Sequence, residues 1–231
     1  MRVRAALAAA AVVVVGVAGV GCGSSKTQNP TAAPTVSLWV NATAKDYRQV
    51  AAGAKLALAE AEGHAGPFRV NFAGRQVSDD PAAAVKDALG NARTSLKDTQ
   101  ASAVVTALDD DAAKPAVFLL NSAGISSVVV GDDALRSEAC DAGSDLYPSG
   151  HPTAIVVGAD AGGVPSSFRS TFTGRLGFAP EPEAYAAYTG AKAVLASLAA
   201  SGVATDDSPP RLDRDALAAQ LVRAHGDCAG A

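Results

Sequence analysis

Histidine, cysteine and aromatic side chains are scarce in this chain, and each scarcity closes off a class of function. The 231 residues hold three histidines, three cysteines and one tryptophan, with aromatics at 5%. His64, His151 and His225 stand too far apart for metal-ligand spacing, so they read as surface residues. No Gly-x-Ser-x-Gly elbow occurs, and no nucleophile–base set is visible. The glycine-rich stretch Gly158-Ala159-Asp160-Ala161-Gly162-Gly163 lacks the Lys-Ser/Thr of a phosphate loop and reads as a turn. The expectation is a protein that is not an enzyme and needs no cofactor. Basic excess is also missing. The formal net charge is −4, which speaks against nucleic acid and against electrostatic docking to anionic lipid. No internal repeat is visible.

What is present begins with an address. Arg2 and Arg4 precede an apolar run from Ala5 to Gly21, then Gly19-Val20-Gly21-Cys22 followed by Gly23-Ser24-Ser25. A positive head, an apolar core and small residues before a cut site make a secretion signal. The tetrapeptide ending at Cys22 resembles the bacterial lipobox, with Gly19 where leucine is usual. That resemblance implies a lipoprotein signal peptide over 1–21 and acylation of Cys22, hence a lipid anchor on the extracytoplasmic face of the cell membrane. An ordinary signal peptide and a transmembrane anchor are the other two readings; seventeen apolar residues rich in Ala and Gly lie at the short limit for a span. Removal of 1–21 takes Arg2 and Arg4 with it and deepens the net charge to −6. Residues 22–34 carry Ser, Thr, Asn and Pro without apolar period and predict a flexible tether. With Cys22 assigned to lipid, Cys140 and Cys228 remain as either a disulfide or two free thiols.

From residue 35 to 228, strand and helix signals alternate. Strands are predicted at 36–40, 68–72, 103–106, 125–130 and 154–157, and helices at 44–62, from Asp80-Pro81 to about 96, at 112–122, 165–176, 183–201 and 213–225. Asp80 is a predicted N-cap with proline at the first helical position, where its missing N–H costs nothing. Asp213 is another, with Leu212 and Leu217 placed as a hydrophobic staple. Residues 131–152 hold charges, glycines and prolines and read as loop. Strands spaced by helices predict an α/β fold: a single, doubly wound, mostly parallel sheet flanked by helices.

Four stretches carry a resemblance. They are DYRQVAAGAKLALAEAEGHAGPFRVNF, PAAAVKDALGNARTSLKDTQASAVVTAL, VFLLNSAGI and FRSTFTGRLGFAPEPEAYAAYTGAKAVLASLAASG. In order and coverage they resemble the type 1 periplasmic-binding proteins of the branched-chain amino-acid kind. The last has the family's Phe-x3-Phe spacing at Phe168 and Phe172, its Gly-x-x-Pro at Gly177 and Pro180, and its Tyr-Ala at Tyr185-Ala186. Ser122 stands where the family has an acid before Ala-Gly-Ile. The resemblance implies two lobes around a ligand cleft, but only a shortened insert at about 131–163 stands where most of the second lobe would be. One lobe is therefore expected.

The resemblance also implies an extracytoplasmic solute-binding receptor of the ABC-transporter type, with an ABC permease as partner. Where the family's hydroxyls and amides hold an α-carboxylate, this chain has Asp109-Asp110-Asp111 and Val129-Val130-Gly131-Asp132-Asp133. Carboxylates there repel a carboxylate ligand, so amino-acid binding is not carried over. Strand carboxyl ends are where open α/β sheets bind ligands. Asp109, Asp110 and Asp132 there, with Tyr47 and Thr106, form a candidate site for a small polar or cationic solute or a hard metal ion. The competing reading is that Asp109–Asp111 cap the next helix and Asp132 and Asp133 are solvated. A further alternative is an envelope interaction or sensory module that binds a protein partner with its one lobe.

Overall fold

The computed structural model describes residues 33–131, 138–139, 141, 143–147, 150, 152–159, 163–200 and 202–225. The elements run β1 (Thr35–Thr43), α1 (Tyr47–Glu60), β2 (His64–Ala65), β3 (Phe68–Val77), α2 (Pro81–Lys97), β4 (Ala101–Ala107), α3 (Asp110–Asn121), β5 (Ser126–Gly131) and β6 (Ala154–Gly158). Three helices follow: α4 (Ser166–Leu176), α5 (Pro182–Leu198) and α6 (Arg214–His225). One six-stranded sheet has the order β2-β3-β1-β4-β5-β6. All its pairings are parallel except the short β2–β3 hairpin, which the sequence reading did not include.

Alternation along the strands builds two cores. In β1, Val36, Leu38, Val40 and Ala42 face α1, α5 and α6. Trp39 faces α2 and α3, whose buried Ala84, Ala88, Ala92, Ala112, Ala113 and Ala116 form the second layer. All seven residues of the central strand β4 are buried, as expected of a parallel strand covered on both faces. A satellite cluster of Phe168, Phe172, Leu56, Val164 and Ala184 holds α4 to α1 and α5. Burying Phe168 and Phe172 contributes about 1.5–3 kcal/mol each, and they are the two buried residues of an otherwise polar helix. Gly177, at φ 76°, ends α4 in the left-handed conformation that glycine adopts without strain.

The alanine and glycine bias of the sequence has a structural use. Gly53 in α1 lies so close to α5 that a Cβ would meet the Ala184 carbonyl. Gly190 likewise brings α5 down onto Val128 of β5.

The capping predictions at Asp80 and Asp213 hold. The Ala82 N–H donates to Asp80 Oδ1 at 2.8 Å, and the Ala216 N–H to Asp213 Oδ1 at 2.9 Å. Leu212 and Leu217 join the same core. The loop reading of 131–152 holds for the described residues from 141 to 152, while Gly131 ends β5 and Glu138 and Ala139 are helical. Within it, Leu146 and Tyr147 are buried against the α2–α3 layer, and the Tyr147 hydroxyl donates to the Ala139 carbonyl at 2.8 Å. Burial and the nearby Glu138 charge push the Tyr147 hydroxyl far above the usual range, so it acts as a fixed donor. Glu138 itself pairs with Lys114 of α3 at 2.8 Å.

Candidate functional site

The chain leaves β1 towards β3 on one side and later returns to β4 on the other. The strand order therefore reverses between β1 and β4, and open α/β sheets bind ligands at the carboxyl ends beside such a reversal. A cavity of about 310 Å³ lies there, lined by the ends of β1, β4 and β5, by Ala159 after β6 and by Glu183 in the first turn of α5. Its volume is at the lower limit for small-molecule sites.

Its polar wall is built locally. In the β1–α1 turn, the Thr43 hydroxyl donates to Asp46 Oδ2 at 2.7 Å. Lys45 holds the neighbouring turn, its N–H donating to Asp79 Oδ1 at 3.1 Å. Its ammonium stands 3.9 Å from Asp46 Oδ2. From the next turn come Asp109 and Asp110. Glu183 is carried in by the segment before α5, which Gln49 clamps: its Nε2 donates to the Ala179 carbonyl at 3.2 Å, and the Glu181 N–H donates to its Oε1 at 3.3 Å.

Among the described residues the cavity thus gathers four carboxylates, Asp46, Asp109, Asp110 and Glu183, against the single ammonium of Lys45. The N-termini of α1, α3 and α5 add partial positive charge of roughly half a unit each, which makes that density of acid tolerable. Asp46 and Asp109 occupy N-cap positions, yet neither side chain makes a capping hydrogen bond. The Asp109 backbone carbonyl accepts from Ala112 and Ala113, while its carboxylate takes no part in the cap. For Asp109 the capping reading is therefore met in position but not in side-chain chemistry. Among the described residues no group of three or more His, Cys, Asp or Glu side chains is arranged to hold a metal ion.

The structure brings together only part of the predicted set. Asp109 and Asp110 line the half-cleft. Tyr47 does not: it lies over Gly74 of β3, in a separate open depression with Arg75, Gln76 and Asn91. Its place in the first turn of α1 turns it towards the outer strand. Thr106 is absent from the lining as well. It is fully buried, and its hydroxyl has no hydrogen-bond partner. Strand alternation sends Val104, Thr106 and Leu108 to the α2–α3 side. Asp132, Asp133, Cys22, Cys140 and Cys228 lie outside the described residues, as do Asp160, Ala161 and Gly162 of the glycine-rich stretch.

Sequence reasoning missed Lys45, Asp46 and Glu183. Asp46 had a signal, an acid just before a helical period. Glu183 had none of its own, since it reaches the site through a contact across 132 positions, between Gln49 and Glu181. Tyr185 and Tyr188, read as packing residues, pack against Phe168 with centroids 5.0 and 4.9 Å away. The Tyr188 hydroxyl donates to Glu60 at 2.7 Å.

No protein-family model matches the sequence, and no curated protein matches it. Among solved structures, the fold is similar to a crystal structure from Rhodospirillum rubrum described as a "putative branched-chain amino acid ABC transporter". The TM-score is 0.56 at 13% identity, over 83% of this chain and 89% of that one. At that identity the likeness establishes the fold alone, an α/β architecture.

Proposed function

We propose that this chain is an extracytoplasmic, lipid-anchored receptor of the solute-binding kind that serves ABC transporters, and that its half-cleft selects a small polar or cationic solute. It acts by binding and not by catalysis. The observation that carries this reading is the contrast among its N-cap aspartates. Asp80 and Asp213, away from the half-cleft, cap their helices with their side chains. Asp46 and Asp109, which line it, do not. Carboxylates withheld from capping at a strand-end cleft are suited to receive a cation or the hydroxyls of a polyol. The fold likeness supports the receptor class, and the permease is the partner that class implies. An α-carboxylate would meet like charge here, so an amino acid is not the expected ligand.

Calorimetry of the mature chain against amino acids, polyamines, sugars and Ca²⁺ tests the reading. Micromolar binding of a polyamine or polyol is expected. Silence across the panel refutes it. The anchor is tested separately: a Cys22→Ala chain should leave the membrane fraction, and continued retention would refute acylation.

A second reading, an envelope interaction module that binds a protein partner, draws on the openness of a half-cleft that no second lobe closes among the described residues. In that case the small-molecule panel is silent while an envelope protein is captured.

A further inference from the structure

The sheet has an unpaired margin. β3 pairs with β1 from Arg69 to Val77, but on its other side β2 covers only Phe68 and Arg69. The Val70 N–H donates outward to the Gly63 carbonyl at 2.8 Å, and the Arg69 N–H donates inward to Pro34 at 2.9 Å. Successive residues of a strand alternate sides. Phe72, Gly74 and Gln76 therefore turn their N–H groups outward, and among the described residues no strand pairs with them there. The Gln76 carbonyl is taken by the Asn91 amide at 3.0 Å; among the described residues the outward groups of Phe72 and Gly74 have no such partner.

This margin is basic in an acidic protein. Arg69 and Arg75 are both exposed beside it, and the Lys55 ammonium lies 4.6 Å from the Phe72 ring on the opposite face. At its upper end Tyr47, Gly74, Arg75 and Asn91 frame an open depression of about 360 Å³. The acids nearest in sequence are engaged elsewhere: Asp79 accepts from Lys45 and Asp80 caps α2.

We propose that the free edge of β3 receives an extended acidic segment of a partner protein as an added strand. Backbone bonds to Phe72 and Gly74 would give affinity, and a carboxylate opposite Arg75, with another reaching towards the exposed Arg69 where β2 ends, would give selectivity. Charge excludes the two nearest competitors. Residues 22–34 contain Lys26 and no acid, so the tether does not complement this edge. A second copy, in the symmetric antiparallel register centred on Arg75 that the open stretch allows, would set Arg75 of one chain directly opposite Arg75 of the other, which is destabilising.

The test uses two synthetic hexapeptides, acetyl-(Val-Glu)3-amide and acetyl-(Val-Lys)3-amide, with amide hydrogen exchange of the mature chain as readout. The acidic peptide at millimolar concentration should slow exchange at Phe72 and Gly74 by about tenfold or more, with the effect shrinking as salt rises. The basic peptide should leave both unchanged. An Arg69→Glu/Arg75→Glu chain should reverse the preference; both side chains are exposed, and far-UV circular dichroism checks that the fold is kept. No slowing with the acidic peptide overturns the proposal. So does equal slowing by both peptides, or slowing that the double reversal leaves intact.

Discussion

The Glu181 N–H donates to Oε1 of Gln49 at 3.3 Å, across 132 positions of sequence. With the second bond from Gln49 Nε2 to Ala179, one buried carboxamide fixes the segment that delivers Glu183 to the half-cleft. A Gln49→Ala chain loses both bonds and leaves a carbonyl and an N–H without partners. The expected cost is about 1–3 kcal/mol, a fall in Tm of roughly 2–12 °C for a domain of this size. Any solute affinity should fall with it, while Gln49→Glu should restore only the bond from Glu181. Thermal denaturation and calorimetry of both variants check this.

Thr106 separates ligand binding from structure in one substitution. Its buried hydroxyl has no partner, so Thr106→Val removes an unsatisfied polar group at nearly constant shape. The variant should be more stable by about 1 kcal/mol, with solute binding unchanged. Urea unfolding reads the first and titration the second; loss of binding would return Thr106 to the site.

Two glycines predict opposite signs for the same change. Gly53→Ala drives a Cβ into the Ala184 carbonyl and must part α1 from α5, at about 1–3 kcal/mol. Gly90, inside α2, has open space around its Cβ position, so Gly90→Ala should stabilise by about 0.5–1 kcal/mol. Denaturant midpoints of the pair decide it.

The architecture was legible because its signals are local. β1, α2 and α6 are written in apolar period, Asp80-Pro81 and the Asp213 cap. Strand ends were read short because the polar residues that extend them, Asn41 and Thr43 in β1 and Arg75 and Gln76 in β3, break the apolar run. The site was legible only where it lies at a strand end in sequence, as at Asp109. Tyr47 was misplaced because helical phase, which turns it towards β3, is set by how α1 packs on the sheet. Tyr147 was hidden because a buried tyrosine inside a polar segment has no period to announce it.

Acid sensitivity should trace to Asp98. Burial raises its pKa, but hydrogen bonds from the Gln100 N–H, the Trp39 indole and Ser37, with the Arg214 charge, outweigh this and hold it below the usual carboxylate range. The indole bond is 3.0 Å. Because the folded pKa is the lower one, the unfolded chain binds more protons on acidification. The stabilisation is complete above the unfolded pKa and is lost as pH falls through the folded one. Asp98→Asn should cost about 1–2 kcal/mol at pH 7 and flatten the acid limb of the stability curve. Trp39 fluorescence during unfolding at pH 7 and pH 3 measures both.

The central claim is that the acidic half-cleft at the carboxyl ends of β1, β4 and β5 is a solute site, and one titration tests it most directly. Spermidine is titrated into the mature chain and into its Asp109→Lys variant, in low salt and at 0.15 M salt. Micromolar binding to the first is expected, weakened by salt, and at least a tenfold loss in the second, since the new ammonium turns attraction into repulsion at the cavity wall. Equal binding by both chains would contradict it.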